Sequence, residues 1–111
     1  MTVDSKNSLF SASLLFRSLR DGKFLESNLW EESIVLIEAL SDEEALEIAT
    51  ALGKQRGLSY RSVDQVEVTW EFFAVERVFT LDTSSISSGS ELFSRHLRSS
   101  EVQSLLQPFE E

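Results

Sequence analysis

The sequence predicts a single α+β domain in which a mainly antiparallel four-stranded sheet carries one long helix on one face and ends in a short C-terminal helix. Strand-like segments come in consecutive pairs, and one strongly patterned helix separates the pairs, giving the order β-β-α-β-β. A chain of 111 residues is long enough for one core without disulfides. We expect residues 1–8 to be a flexible N-terminus, residues 9–107 to form the domain and residues 108–111 to be a tail.

The first pair of strands is predicted before the helix. Residues 9–17 alternate apolar and polar side chains, which is the period of a half-buried strand, and Gly22 follows in a turn. Residues 32–39 contain the run Ile34-Val35-Leu36-Ile37, which is apolar on both faces. Such a run is typical of a strand that is covered above and below, so we predict that this strand is central in the sheet.

The long helix is predicted by its N-terminal cap and its apolar stripe. Ser41 and Glu44 have the spacing of a capping box, in which each side chain accepts a hydrogen bond from the other residue's backbone N–H. Gly57 is the expected stop, because glycine readily adopts the left-handed conformation that closes a last turn. The stripe that should face the sheet is formed by Ala45, Ile48, Ala49 and Leu52.

The second pair of strands is predicted after the helix. Residues 66–81 alternate only as far as Phe72, and sixteen residues of straight strand would measure about 53 Å, so we expect a bend, a bulge or a tight turn in residues 74–77. Residues 91–98 are predicted to be the last strand. The short helix that follows is expected to begin near Ser100 and end at Pro108, and it must pack on something because so short a helix does not persist alone in water.

Apolar side chains are expected on both faces of the sheet, although one long helix covers only one face. Both residues 34–37 and residues 72–75 have this two-sided character. Either the C-terminal helix or a second copy of the chain must therefore cover the other face, and both arrangements can coexist. We expect a homodimer.

Charge and composition exclude several classes of function. Ten basic and nineteen acidic residues give a net charge of −9, which repels a nucleic-acid backbone. No apolar run approaches the roughly 18 residues that span a bilayer, and the chain has no cysteine, so we expect a cytoplasmic protein without a membrane partner. Between Lys23 and Lys54 there are acidic residues but no basic one. This interval is either a solvated face or a docking surface for a basic protein.

No pattern in the sequence identifies a catalytic, cofactor or metal site. Ser94 and His96, the only histidine, would lie about 6.6 Å apart along a strand, which is too far for a nucleophile and its base. Glu67 and Glu71 would lie about 13 Å apart, beyond the spacing of paired glycosidase carboxylates. Phosphate-binding loops and metal-ligand motifs are missing. We therefore expect no cofactor and favour a protein that is not an enzyme.

Six residues are candidates for an interaction surface or a pocket. They combine aromatic rings at the ends of predicted elements with charged neighbours: Trp30, Glu31, Glu32, Tyr60, Arg61 and Arg95. The leading hypothesis is a non-enzymatic protein–protein interaction module that self-associates through a sheet face. The alternative is a domain that binds a small ligand or substrate in a cleft at the sheet edge, lined by Trp30, Tyr60, Arg61 and Arg95.

Several segments resemble one known family. The run from Leu29 to Ala39, the segment Ser41-Asp42-Glu43-Glu44-Ala45, Tyr60, the strand from Val68 to Leu81 and the closing segment from Gly89 to Arg95 are similar to the domain of unknown function 4288 family, an uncharacterised bacterial family. The resemblance covers roughly residues 10–97. It implies a small single-domain bacterial protein without an assigned activity, and so it points to no catalytic or binding residue.

Overall fold

The computed structural model describes residues 6–107, and that range contains four strands and two helices. In chain order they are β1 (Ser8–Arg20), β2 (Trp30–Ala39), α1 (Asp42–Gln55), β3 (Leu58–Arg61), β4 (Glu67–Thr80) and α2 (Ser99–Leu106). The strands form one antiparallel sheet in the order β2-β1-β4-β3, and α1 packs on one face of it. The predicted α+β class, with a long helix on one sheet face and a short C-terminal helix, is confirmed. The predicted tail, residues 108–111, lies outside the described residues.

β1 lies between β2 and β4 and is buried on both faces over its first half. Its even-numbered side chains from Phe10 to Phe16 form the core beneath α1, together with residues from the other elements: Ile37, Ala39, Ala45 and Ala49. Its odd-numbered side chains point to the opposite face, which we call the second face. There Leu9, Ser11 and Ser13 are also buried.

β2 is an edge strand, so its predicted central position is wrong. Val35 and Ile37 pack under α1, whereas Ile34 and Leu36 point to the second face and are 46% and 39% exposed. The central position belongs to β1, although β1 carries serines. A serine is small enough to be buried once its hydroxyl is hydrogen-bonded, as when Ser13 Oγ donates to a Glu32 carboxylate oxygen at 2.6 Å.

The second pair of strands consists of β3 and β4, and not of β4 and residues 91–98. β3 has only four residues, all exposed, and the sequence did not predict it. Residues 91–98 belong to no strand, so that prediction is wrong. Their alternating pattern has another cause: Phe93 packs its ring edge-on against Phe79 of the second face, with ring centroids 5.4 Å apart, while the backbone stays outside the sheet.

β4 contains the irregularity that was expected in residues 74–77, and it takes the form of bulges. The pairing with β1 shifts by one residue at two places, which leaves Phe73 and Glu76 as extra residues on β4. Each bulge resets the alternation of side chains. As a result, residues spaced by three along the chain all point to the core beneath α1: Phe72, Val75 and Val78.

α1 begins at the predicted cap and lies very close to the sheet. Ser41 Oγ accepts a hydrogen bond from the Glu44 N–H at 3.1 Å, but the Glu44 carboxylate accepts from the Leu40 N–H, and not from that of Ser41. Ile48 of the predicted stripe is 39% exposed, and Gly53 is buried in its place. The buried residues of α1 therefore have small side chains or none: Ala45, Ala49 and Gly53.

α2 is present but does not cover the second face. All eight of its residues are exposed, so the expectation that this helix packs against the protein is wrong for the part of the chain that is described. The segment before α2 covers part of the second face instead. Leu92 of this segment lines a hollow of about 160 Å³ together with Ile34 and Leu36.

We predict that Gly53→Ala lowers the stability of the domain, although alanine favours helices. A Cβ at this position would lie 2.4 Å from the Phe72 ring. Overpacking of this kind costs about 1–3 kcal/mol, whereas replacing glycine inside a helix gains about 1 kcal/mol. Urea unfolding should therefore show a net loss of about 1 kcal/mol.

The control is Gln55→Ala in the exposed last turn of α1, which should change the free energy of unfolding by less than about 0.5 kcal/mol. A Gly53→Ala protein more stable than the parent would contradict the close approach of α1 to β4.

Candidate functional site

A cleft lies on the α1 face of the sheet, beyond the C-terminal end of the helix. It has a volume of about 440 Å³, within the range of small-ligand sites. We call it the cleft, and it is lined by Phe16, Glu31, Ser33, Arg56, Leu58, Tyr60 and Trp70.

The cleft exists because α1 is shorter than the sheet. The helix ends at Gln55, so the far ends of the strands have no helix above them. Phe16 and Trp70 form the apolar floor, and β3 adds Leu58 and Tyr60 at its side by pairing with β4. Arg56, the C-terminal cap of α1, brings a guanidinium group to the rim.

Opposite charges and hydroxyl groups line the same cleft. Glu31 is placed opposite Phe16 by the pairing of β1 with β2, so its carboxylate side chain reaches the α1 face of the sheet. Arg56, Ser33 and Tyr60 add a cation and two hydroxyl groups. The arrangement suits a molecule that has a flat apolar part for the aromatic rings and a polar part for the charged rim.

A second hollow of about 360 Å³ adjoins the cleft and shares Tyr60 and Trp70 with it. Arg20 lies at this hollow and forms an ion pair with Asp64 at 3.3 Å. The hydrogen bond from the Ser62 hydroxyl, then a hydrogen bond from the backbone of Asp64, and less strongly the charge of Arg20, hold the pKa of Asp64 below its ordinary value. Asp64 is therefore ionised at neutral pH and balances the Arg20 charge.

The second face carries an exposed aromatic cluster around Arg17. The Trp30 ring packs edge-on against Phe24 and Phe73, with centroid distances of 5.6 and 5.0 Å. The Arg17 guanidinium lies 4.9 and 5.3 Å from the centroids of those two phenylalanine rings, and its Nε donates to Glu71 at 2.5 Å. Because the ion pair neutralises Arg17, the cluster presents a mostly apolar surface.

Apolar side chains continue from this cluster along β2. Trp30, Ile34 and Leu36 point to the second face, and we call them the edge row. The glutamates between and beyond them are held by β1 and its N-terminal neighbour: Glu32 accepts from Ser13, and Glu38 accepts from the Asn7 amide at 2.7 Å.

The six residues singled out from the sequence do not form one site. Glu31 and Tyr60 meet at the cleft, whereas Trp30 and Glu32 lie on the second face. Arg61 lies at neither place and donates to the Gln65 carbonyl oxygen at 2.8 Å in the turn before β4. Arg95 lies over the Phe93 ring, which packs on Phe79 of the second face.

Five cleft residues were not among the candidates drawn from the sequence: Phe16, Ser33, Arg56, Leu58 and Trp70. Trp70 lies in an alternating strand, a pattern typical of a core residue, and part of it does pack against the core. Ser33 and Arg56 carried no signal of their own. Only the position of Arg56 just after a helix could have marked it, since such a residue can reach across an exposed sheet.

Comparison with known proteins identifies a family and no activity. A family model described as a domain of unknown function, DUF4288, matches residues 9–94, which include every cleft residue and the edge row. No curated protein and no solved structure matches the chain. Within residues 6–107, no group of three or more His, Cys, Asp or Glu side chains is placed to hold a metal ion, and neither helix there is long and apolar enough to cross a membrane.

Proposed function

Since the chain belongs to the DUF4288 family, a domain of unknown function, we propose from its geometry that it is a non-enzymatic protein–protein interaction module that self-associates through the second face of its sheet. One observation carries this proposal. The edge row and the neighbouring Phe73 are large apolar side chains exposed on one face of the sheet, with exposed fractions of 43% for Trp30 and 53% for Phe73, and the Glu32 carboxylate between Trp30 and Ile34 is held by the Ser13 hydroxyl. Burying such a surface is the main driving force of protein association.

A second copy of the chain is the occupant that we propose for this surface. α2 leaves the surface open. The segment before α2 covers the second face near Phe79 and brings Leu92 beside Ile34 and Leu36, which stay 46% and 39% exposed. The surface also reaches the free edge of the sheet at β2, where two identical strands can meet around a twofold axis.

Self-association is expected to be lost in an Ile34→Glu variant, because a carboxylate would enter the apolar surface. Sedimentation velocity at tens of micromolar should show a dimer for the parent protein and a monomer for the variant. The matched control is Leu58→Glu, since Leu58 is similarly exposed, at 54%, but lies on β3 at the opposite edge of the sheet.

The control protein should remain dimeric, and both variants should unfold in urea with parent-like cooperativity. A parent protein that sediments as a monomer, or a dimer that survives Ile34→Glu, would contradict self-association through this surface.

The same module carries an acidic flank that we propose as a docking surface for a basic protein. Exposed carboxylates lie along α1 and on the α1 side of β2: Glu31, Asp42, Glu43 and Glu47. Salt separates the two kinds of association. Screening should strengthen self-association, because two chains of charge −9 repel each other, and should weaken binding of a lysine-rich peptide. Light scattering should show more dimer, and titration with the peptide weaker binding, at about 300 mM salt than at about 20 mM salt. If added salt changes both associations in the same direction, the proposal of two separate surfaces is contradicted.

We place the module in the bacterial cytoplasm. A chain without cysteine fits a reducing compartment, and the family that the sequence segments resemble is a bacterial one.

A second candidate function, binding of a small ligand, is favoured by the cleft. Its aromatic floor and the Arg56 guanidinium suit a small aromatic carboxylate, with the ring on Trp70 and the carboxylate at Arg56. In a Trp30→Phe protein, Trp70 is the remaining tryptophan, and titration with benzoate or indole-3-acetate should change its fluorescence.

Replacing the cleft arginine by Arg56→Gln in that protein should raise the dissociation constant of the acid, measured by the fluorescence titration, about tenfold. The reason is that the charge-assisted hydrogen bonds from Arg56 are lost. The matched control is Arg61→Gln, since Arg61 is nearby in the chain but bonds to the Gln65 carbonyl and does not line the cleft. No response to either acid, or equal loss in both variants, would contradict this candidate.

A further inference from the structure

We infer that two copies of this chain join by antiparallel pairing of their β2 strands, in the register that places Ile34 opposite Ile34 of the other copy. The inference rests on the proposed self-association and specifies its geometry. It makes one continuous eight-stranded sheet from two four-stranded sheets. Three features of β2 support this pairing: its unpaired backbone groups, its charges and the edge row.

The backbone of β2 presents a row of unpaired groups at the edge of the sheet. The Ser18 N–H donates to the Leu29 carbonyl at 3.0 Å, in line with the pairing of Arg17 opposite Trp30. Hydrogen-bonded and non-hydrogen-bonded pairs alternate along an antiparallel ladder, so the odd-numbered residues of β2 bond to β1. The backbone N–H and C=O groups of the even-numbered residues, from Trp30 to Glu38, therefore point away from the sheet.

The pairing of β1 with β4 gives the same result independently. The Leu81 N–H donates to the Leu9 carbonyl at 2.9 Å, so the odd-numbered residues of β1 bond to β4 and its even-numbered residues bond to β2. Among residues 6–107, no hydrogen bond is made to the outward groups of β2. A long strand with such an edge is a template for another strand.

Charge selects one register among the symmetric ones. A twofold axis can pass through any position of β2, but pairing centred on Val35 would place Glu32 directly opposite Glu38 of the other copy, and like charges in that position are destabilising. Pairing centred on Ile34 places Glu32 opposite Leu36 and Glu38 opposite Trp30. It also joins residues 30–38 of both strands, whereas centring on Ser33 or Leu36 joins fewer residues of β2.

The chosen register also makes the edge row of each copy continuous with that of the other. Ile34 faces Ile34 directly, and Leu36 lies diagonally next to it and to Trp30 of the other copy, at distances that allow contact between large side chains. Both copies present these side chains on the same side of the joined sheet, because antiparallel pairing about a twofold axis keeps the second faces together. The six side chains of the two edge rows then lie side by side, so that each row partly shields the other from water where the strands meet.

The chain has no cysteine, so a single introduced thiol reports this register directly. In the Ile34→Cys protein the two Cα atoms would lie about 5.5 Å apart, a distance that a disulfide spans. In the Leu36→Cys protein the two thiols would be offset by four residues, or about 13 Å, and should not join. Leu58→Cys, on the other edge of the sheet, gives the rate of disulfide formation by random collision.

Mild oxidation of each protein, followed by electrophoresis without reductant, should yield a linked dimer from Ile34→Cys at least about tenfold faster than from the other two proteins. Faster linkage of Leu36→Cys would overturn the register. A dimer in sedimentation without linkage of Ile34→Cys would overturn the pairing of β2 strands and leave the proposed self-association in place. A parent protein that is monomeric and an Ile34→Cys protein that links no faster than Leu58→Cys would overturn both.

Discussion

The close contact between α1 and the sheet determines where both candidate surfaces lie. α1 approaches through Ala45, Ala49 and Gly53, and at Gly53 the Phe72 ring occupies the space that a side chain would need. A helix held so close covers the strands directly beneath it, but it leaves the parts of the strands beyond its two ends uncovered. The sheet extends beyond Gln55, so Phe16 and Trp70 become the floor of the cleft. The second face has no helix at all within residues 6–107, which leaves the edge row uncovered.

Local signals in the sequence predicted the elements well, and the arrangement of the strands poorly. The Ser41 cap and the alanine stripe are properties of α1 itself, and the irregularity of β4 followed from its length, so a neighbouring strand was not needed to predict either. The edge position of β2 depends on which strands pair, and an apolar run does not encode that choice. β3 has four exposed residues and exists because the turn after it places it beside β4. Residues 91–98 are the opposite case. Their apolar and polar side chains alternate as in a strand, but Phe93 packs on the sheet without its segment joining it.

The candidate site depended even more on tertiary structure. Trp30 and Glu31 are adjacent in sequence but lie on opposite faces of the sheet, because side chains alternate along a strand. The aromatic ring and the carboxylate that looked like one site therefore serve two. Conversely, Glu31 and Tyr60 come from strands at opposite edges of the sheet and line the same cleft over its α1 face. The residue types at the ends of the predicted elements were enough to select these residues as candidates. Assigning them to one site or another required the pairing of the strands.

The two surfaces share β2, and this makes their proposed functions dependent on each other. Even-numbered residues of β2 supply the edge row, and odd-numbered residues supply Glu31 and Ser33 to the cleft. In the proposed pairing, Ile37 of the second copy lies opposite Glu31. Because Ile37 is buried beneath α1, the second copy would bring its own α1 to the open side of the cleft. A ligand held at Glu31 would then contact both copies, and its binding free energy would include part of the free energy of association. The two proposals therefore assign self-association and ligand binding to the same strand.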